Sequence, residues 1–156
     1  AKFAKQINDN GIDGVLIVDS PPEESVILNK YLTKYKKSHI YLASPTTTDQ
    51  RMKNISKMSS GYVYYVTIKG ITGSQLSNVS SIRKNVNKIK KYSNNNLPVA
   101  VGFGIKDSSS AQEMAAFSDG IIIGSSIVEL IHKYSNNEKK MNSKLSTYIS
   151  SISNVI

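Results

Sequence analysis

The 156-residue chain contains no cysteine and no tryptophan. Without cysteine there is no disulfide staple, no thiolate metal ligand and no cysteine nucleophile, and the cytoplasm is the default compartment. The two histidines, His39 and His132, are too few for a histidine-built metal site. Arginine is almost missing too, with Arg51 and Arg83 standing alone among many lysines. No stretch approaches the roughly 18 uninterrupted apolar residues of a membrane span, and the start of the chain has no signal-peptide pattern. Cofactor chemistry based on a metal and a membrane partner are therefore not expected.

What remains is an ordinary globular composition, 39% hydrophobic and 20% charged, with enough residues for one domain and too few for two comfortable ones. Twenty Lys and Arg against eleven Asp and Glu leave a net charge of +9. Nucleic acid is one reading of that excess, but the doublets Lys36-Lys37, Lys90-Lys91 and Lys139-Lys140 are isolated, and the arginine forks and interleaved exposed aromatics that serve base recognition are absent. No nucleic-acid partner is expected. A basic surface still steers small anionic substrates. The chain opens at Ala1, without methionine, inside a helical pattern over residues 1–8 that has no capping residue before it. That pattern points to processing, truncation or incomplete coverage.

Five apolar, β-branched runs stand out: 15–18, 40–43, 62–68, 98–103 and 120–124. Three are continuous rather than alternating, as in parallel strands buried on both faces. Segments with helical spacing lie at 23–35, 75–89, 109–117, 125–134 and about 143–152. The order, a helix followed by repeated β-α units, gives an α/β architecture with right-handed crossovers. At roughly 31 residues per unit of an eight-unit barrel, the chain makes about five units. An open doubly wound sheet of five strands fits the length equally well, and the pattern leaves both open.

Every run ends in a loop of unusual composition, and ligands sit at the carboxyl ends of parallel strands. Pro21-Pro22-Glu23-Glu24 reads first as a helix cap, with the acids in a helix first turn. Gly73, Gly104 and Gly124 read together as a phosphate grip: a phosphate needs converging backbone N–H groups and close main-chain approach, which a Cβ obstructs. Gly124-Ser125 ahead of a short helix adds a dipole and a hydroxyl. Asp19, at a strand end, reads first as a structural carboxylate accepting N–H groups of its own loop. Tyr64 and Tyr65 are adjacent on one strand and face opposite sides; either a ligand or core packing suits the inward one. His39 falls at a strand start and His132 late in a helix, and neither is read as a catalyst. No pair of carboxylates is placed for concerted acid–base work.

These motifs resemble a known family. The segment Val15 to Ser25 (VLIVDSPPEES), Ser44-Pro45-Thr46-Thr47, Tyr64 to Thr67 leading to Gly70-Ile71-Thr72-Gly73, Pro98 to Ile105, and Asp119 through Val128 look like the tryptophan synthase alpha chain, in that family's order and spacing along nearly the whole sequence. The resemblance implies a (β/α)8 TIM barrel of which this chain is the C-terminal part, units four to eight, as a single domain over residues 1–156 lacking the first three strands. It implies a lyase of tryptophan biosynthesis that cleaves indole-3-glycerol phosphate to indole and glyceraldehyde 3-phosphate by a retro-aldol step. No cofactor is needed by this subunit; pyridoxal phosphate belongs to the beta chain, the family's partner in an alpha2-beta2 heterotetramer that receives indole through a tunnel.

Residue by residue, the resemblance carries over Gly73, Gly104, Gly124 and Ser125 as phosphate-binding positions. Thr72 matches the threonine of the family's mobile sixth loop, and Tyr64 a tyrosine at the substrate. Leu16, Val18, Leu42 and Phe103 match the indole pocket, with Val18 and Leu42 departing from some relatives while staying apolar. Asp19 and Pro21 match a loop near the beta-chain contact, where Ser20 replaces a common aliphatic residue. The family's acid–base pair, a glutamate on strand two and an aspartate in the following loop, has no counterpart here and lies upstream of Ala1, so the chain alone is expected to be inactive. With three strands missing, open sheet edges are expected to favour self-association. Two alternatives remain: a non-enzymatic phosphate-binding half-barrel, or another phosphate-binding barrel enzyme such as phosphoribosylanthranilate isomerase, which shares the last two loops but not the Gly-Ile-Thr-Gly loop.

Overall fold

A computed structural model of the chain describes residues 1–67, 79–102 and 104–156. The elements run α1 (Lys2–Asp9), β1 (Gly14–Leu16), a 3-10 turn (Pro22–Glu24), α2 (Val26–Lys34), β2 (Ser38–Ala43), α3 (Asp49–Met58) and β3 (Val63–Val66). They continue with α4 (Val79–Tyr92), β4 (Val99–Gly102), α5 (Ser108–Ala115), β5 (Gly120–Ile122), α6 (Ser125–Tyr134) and α7 (Glu138–Ser153). All five expected strands are present with shifted ends: β1 and β2 start before the expected runs, at Gly14 and Ser38, and β5 stops at Ile122. One helix, α3, was not expected.

The five strands form one sheet in the order β1-β2-β3-β4-β5, every neighbouring pair parallel. This order decides between the two architectures that length and pattern allow. A doubly wound sheet reverses direction at a switch point and so places non-consecutive strands side by side. Here each strand lies beside its neighbour in the chain, as the strands of a (β/α)8 barrel do. The chain is a partial barrel of five parallel β-α units.

Burial separates the two faces of the sheet. Tyr41 and Ala43 of β2, Val63 and Tyr65 of β3, and Val99 and Val101 of β4 share one core with Met52 and Ile55 of α3 and Ile82, Val86 and Ile89 of α4. Residues 41, 63, 65, 99 and 101 alternate with the others along their strands, so one face carries the helix layer. On the opposite, concave face lie Leu42, Tyr64, Val66, Ala100 and Ile122, all half-buried. Two smaller cores flank the centre. Ala4 and Ile7 of α1 pack on Leu32 of α2, with Val15 beside them. Ile105 and Ala111 pack on Ile152 of α7, with Ile121 beside them.

Polar groups pin the amino-terminal ends of the strands. Asp119 accepts the Val99 N–H at 2.9 Å and the Lys90 ammonium at 2.9 Å. His39, in β2, is 1% exposed and packs its ring against Tyr41, centroids 4.1 Å apart. Asn29 Nδ2 donates to Tyr41 Oη at 2.9 Å, which leaves Asn29 Oδ1 to accept from His39 Nδ1 at 2.6 Å. The neutral ring therefore carries its proton on Nδ1, and the buried Nε2 has no hydrogen-bond partner among the described residues. His39 belongs to the packing at the end of the sheet opposite the loops that follow the strands, and His132 lies in the last turn of α6.

Candidate functional site

The loops after β4 and β5 meet the end of β3 at a recess of about 100 Å³. Its walls include Tyr64, Gly104, Lys106, Gly124, Ser125 and Ser126, over an apolar floor of Ile105, Ile122 and Ile123. Four of the residues singled out in the sequence, Tyr64, Gly104, Gly124 and Ser125, thus share one small space. Lys106 and Ser126 also line it; neither was singled out beforehand.

Local structure explains each position. Gly124 is the N-cap of α6 and supplies no side-chain cap. The N–H groups of Ser125 and Ser126 therefore have no acceptor among the described residues, and the positive end of the helix dipole faces the recess. A Cβ at Gly124 would meet no described atom within 4 Å, so crowding by the chain itself does not call for glycine there. Gly104 has φ +85°, a left-handed conformation that glycine adopts without strain. Ser126 Oγ donates to the Ile105 carbonyl at 3.2 Å and ties the first turn of α6 to the loop after β4. The next residue of that loop is anchored as well: the Lys106 N–H donates to Ser110 Oγ at 3.2 Å. Asp107 then caps α5, accepting the Ser110 N–H at 2.8 Å, and this bond holds its carboxyl below the usual carboxylate range.

Tyr64 and Tyr65 divide the two roles that were open for them. Tyr65 is fully buried in the helix layer, where Asn85 Nδ2 donates to its hydroxyl at 2.8 Å. Tyr64 faces the concave side and lies against the bare backbone of Gly102, where a Cβ would come 2.8 Å from Tyr64 Cε2. Burial pushes the Tyr64 hydroxyl above its ordinary pKa, so it stays protonated at neutral pH. Among the described residues, no carboxylate lines the recess and no group of three or more His, Asp or Glu could hold a metal.

The other expected residues fall around this centre. Leu42 is the register partner of Tyr64 and lines a second cavity of about 550 Å³ with Val66, Thr46, Thr47 and Arg51. Leu16 pairs with Ile40 at the β1 edge, 36% exposed. Val18 is 70% exposed beyond the end of β1, outside the recess. Asp19 is exposed, and its carboxylate accepts no hydrogen bond among the described residues, so the structural role first read for it is not observed. Pro21 precedes the 3-10 turn, held by Ser25 Oγ donating to the Pro21 carbonyl at 2.7 Å. Ser20 joins its hydroxyl to Ser25 Oγ at 2.7 Å. Thr72, Gly73 and Phe103 lie outside the described residues. Another cavity, about 610 Å³, lies elsewhere, on the basic face of α4 beside Arg83, Lys84, Lys88 and Lys91; it is read as a solvated helix face, with Lys88 paired to Asp49 at 2.7 Å.

Known proteins resemble this chain in sequence and fold. A tryptophan synthase alpha chain of Vesicomyosocius okutanii is 37% identical over 154 residues, covering 99% of this chain and 57% of the relative. The crystal structure of the tryptophan synthase alpha subunit from Legionella pneumophila superposes with a TM-score of 0.79 at 32% identity, covering 99% of this chain and 57% of that one. The tryptophan synthase a2b2 complex of Pyrococcus furiosus contains a chain of the same fold, TM-score 0.81 at 24% identity, covering 98% of this chain and 60% of that one. The chain thus spans a little over half the length of these relatives. The profile of a single family matches it from residue 1 to residue 156, and by that match the chain belongs to the tryptophan synthase alpha chain family.

Proposed function

We propose that these residues form the C-terminal part, units four to eight, of a tryptophan synthase alpha subunit, and that they hold indole-3-glycerol phosphate for its retro-aldol cleavage. One observation supports this above the others: Tyr64, Gly104, Gly124 and Ser125 share a recess with N–H groups at the start of α6 that have no acceptor among the described residues. A phosphate monoester fits such a site, because helix N-termini and glycine-flanked backbone bind anions. Gly124 and Gly104 admit the phosphate, Ser125 donates to it, and Gly73 completes the grip. Tyr64 with Leu16, Val18, Leu42 and Phe103 lines the way to the indole ring, and Thr72 covers the substrate.

Cleavage breaks the carbon–carbon bond between indole C3 and the glycerol phosphate chain. C3 must gain a proton, and the hydroxyl on the departing carbon must lose one to become the aldehyde of glyceraldehyde 3-phosphate. The family assigns those transfers to a glutamate and an aspartate, and neither motif occurs among these 156 residues. The chain alone therefore binds substrate and does not turn it over. No cofactor takes part in this subunit's step. Asp19 and Pro21 contact a pyridoxal-phosphate-dependent beta chain in an alpha2-beta2 assembly; the Pyrococcus furiosus relative is an a2b2 complex. The setting is the cytoplasm; no helix among the described residues is long and apolar enough to cross a membrane. In isolation the chain self-associates through β1 and β5, each of which bonds to one strand only.

The test is calorimetric titration of the chain with indole-3-glycerol phosphate beside an assay of indole release. Saturable binding without release is expected. Failure to bind would overturn the site assignment, and release at the rate of a full-length subunit would overturn the claim about acid–base chemistry. Light scattering that shows only monomer at high concentration would overturn self-association.

A further inference from the structure

We propose that Lys106 is the charged member of the recess, closing over the phosphate and setting a preference for dianionic monoesters. This rests on the phosphate reading of the same site. A phosphate monoester at neutral pH carries close to two negative charges. Against that, the recess offers neutral backbone N–H groups, the hydroxyl of Ser125 and about half a positive charge from the α6 dipole. Most of the ligand's charge would stay uncompensated. Among the described residues, Lys106 is the one ionisable cation in the lining, and no described carboxylate accompanies it there.

The surroundings leave that ammonium available. Lys106 makes no ion pair with any described residue. The neighbouring carboxylate, Asp107, is committed to the first turn of α5 through the Ser110 N–H and hydroxyl, both at 2.8 Å. The backbone at Lys106 is fixed by its own bond to Ser110 Oγ, and the loop is fixed to α6 by Ser126 and Ile105. The side chain is exposed, and its four-carbon stem swings about an anchored point at the edge of the recess. A flexible point charge on a fixed base suits a ligand that must enter and leave.

Inorganic phosphate and glycerol 3-phosphate are the probes, titrated into the chain and followed by amide NMR shifts at Gly124 and Ser125. Lys106→Ala is expected to weaken dianion binding roughly three- to tenfold, in keeping with one charge-assisted contact at an exposed site. The loss shrinks at about pH 5, where the phosphate is a monoanion below its second pKa of about 6. Lys106→Arg restores most of the affinity, and the alanine variant flattens the salt dependence of binding. Gly124→Val serves as the control that blocks the recess itself. Loss of binding in Gly124→Val with unchanged affinity and salt dependence in Lys106→Ala would overturn the role of Lys106 while the recess stands. An unmodified chain that binds neither probe would overturn both.

Discussion

The ring of Tyr64 rests on the α-carbon of Gly102, so close that a side chain there has no place to go. An ideal Cβ on Gly102 would sit 2.8 Å from Tyr64 Cε2, 2.8 Å from Ile122 Cβ and 2.9 Å from the Ile122 carbonyl oxygen. One glycine therefore lets a β3 side chain cross β4 and reach the recess beside β5. Gly102→Ala should cost about 2–3 kcal/mol, the upper part of the range for overpacking, because one obstacle is backbone. It should also weaken phosphate binding by displacing Tyr64. Urea titration of the two chains checks the first expectation, and an unchanged midpoint would contradict it.

Ser25 is fully buried, and its hydroxyl donates to the Pro21 carbonyl while accepting from the Ser20 hydroxyl. Ser25→Ala removes two hydrogen bonds, one to Ser20 Oγ and one to the Pro21 carbonyl, which keeps the Glu24 N–H at 3.1 Å; at about 0.5–1.5 kcal/mol each, the loss is about 1–3 kcal/mol. Ser20→Ala, at the half-buried end of the same chain of bonds, should cost no more than about 1 kcal/mol. Equal effects from the two substitutions would show that Ser25 is not the anchor. In an alpha–beta binding assay, Ser25→Ala should also loosen the partner contact proposed for Pro21.

Acid should weaken the fold in two windows. Burial holds the His39 pKa below its ordinary value. The unfolded chain then takes up a proton from about pH 6.5 downward while the folded chain does not. Stability is full above that pH and falls as pH drops toward the folded pKa, with a slope approaching about 1.4 kcal/mol per pH unit. His39→Gln should remove this limb from a plot of urea midpoint against pH.

The second window belongs to carboxylates. Burial works against ionisation of Asp119, but Lys90 and the Val99 N–H outweigh it and hold its pKa low. Its contribution is present above about pH 4, the unfolded carboxylate value, and is lost as pH falls through the folded pKa. Asp107 follows the same sign through its bonds to Ser110. Asp119→Ala should therefore lower stability at neutral pH and leave a shallower acid limb. An acid limb unchanged in slope would assign the window to other groups.

The strands were legible because parallel strands in a covered sheet need continuous apolar runs, and 15–18 and 40–43 have nothing else, while 120–124 is three isoleucines between glycines. Helix α3 was not legible. Its segment, DQRMKNISKM, turns only Met52, Ile55 and Ser56 into the core, too few for an apolar stripe. The signal was Thr48, whose side chain caps the Arg51 N–H, with Asp49 following in the first turn. The glycine loops announced the recess through composition, but Lys106 and Ser126 did not. A lysine and a second serine in a loop look like surface until the docking of α6 on the loop after β4 shows what they border. The alternation of Tyr64 and Tyr65 left open which one faced the ligand side, since a strand read alone does not show which face the helices cover; the resemblance pointed to Tyr64, and α3 and α4 cover Tyr65.

The strand order also has a bearing on how the molecule comes apart and together. Because β1 to β5 bond only to neighbours in the chain, each parallel contact closes a loop of one crossover, and none needs a longer one. Assembly can spread outward from the middle, where β2, β3 and β4 share the largest core with α3 and α4. In hydrogen exchange the amides of β3 should then be the slowest, and those of β5 and the start of α6 among the first to open. The ligand would grip the sheet at its loosest margin, so that occupancy acts as a clasp on the flank that frays soonest.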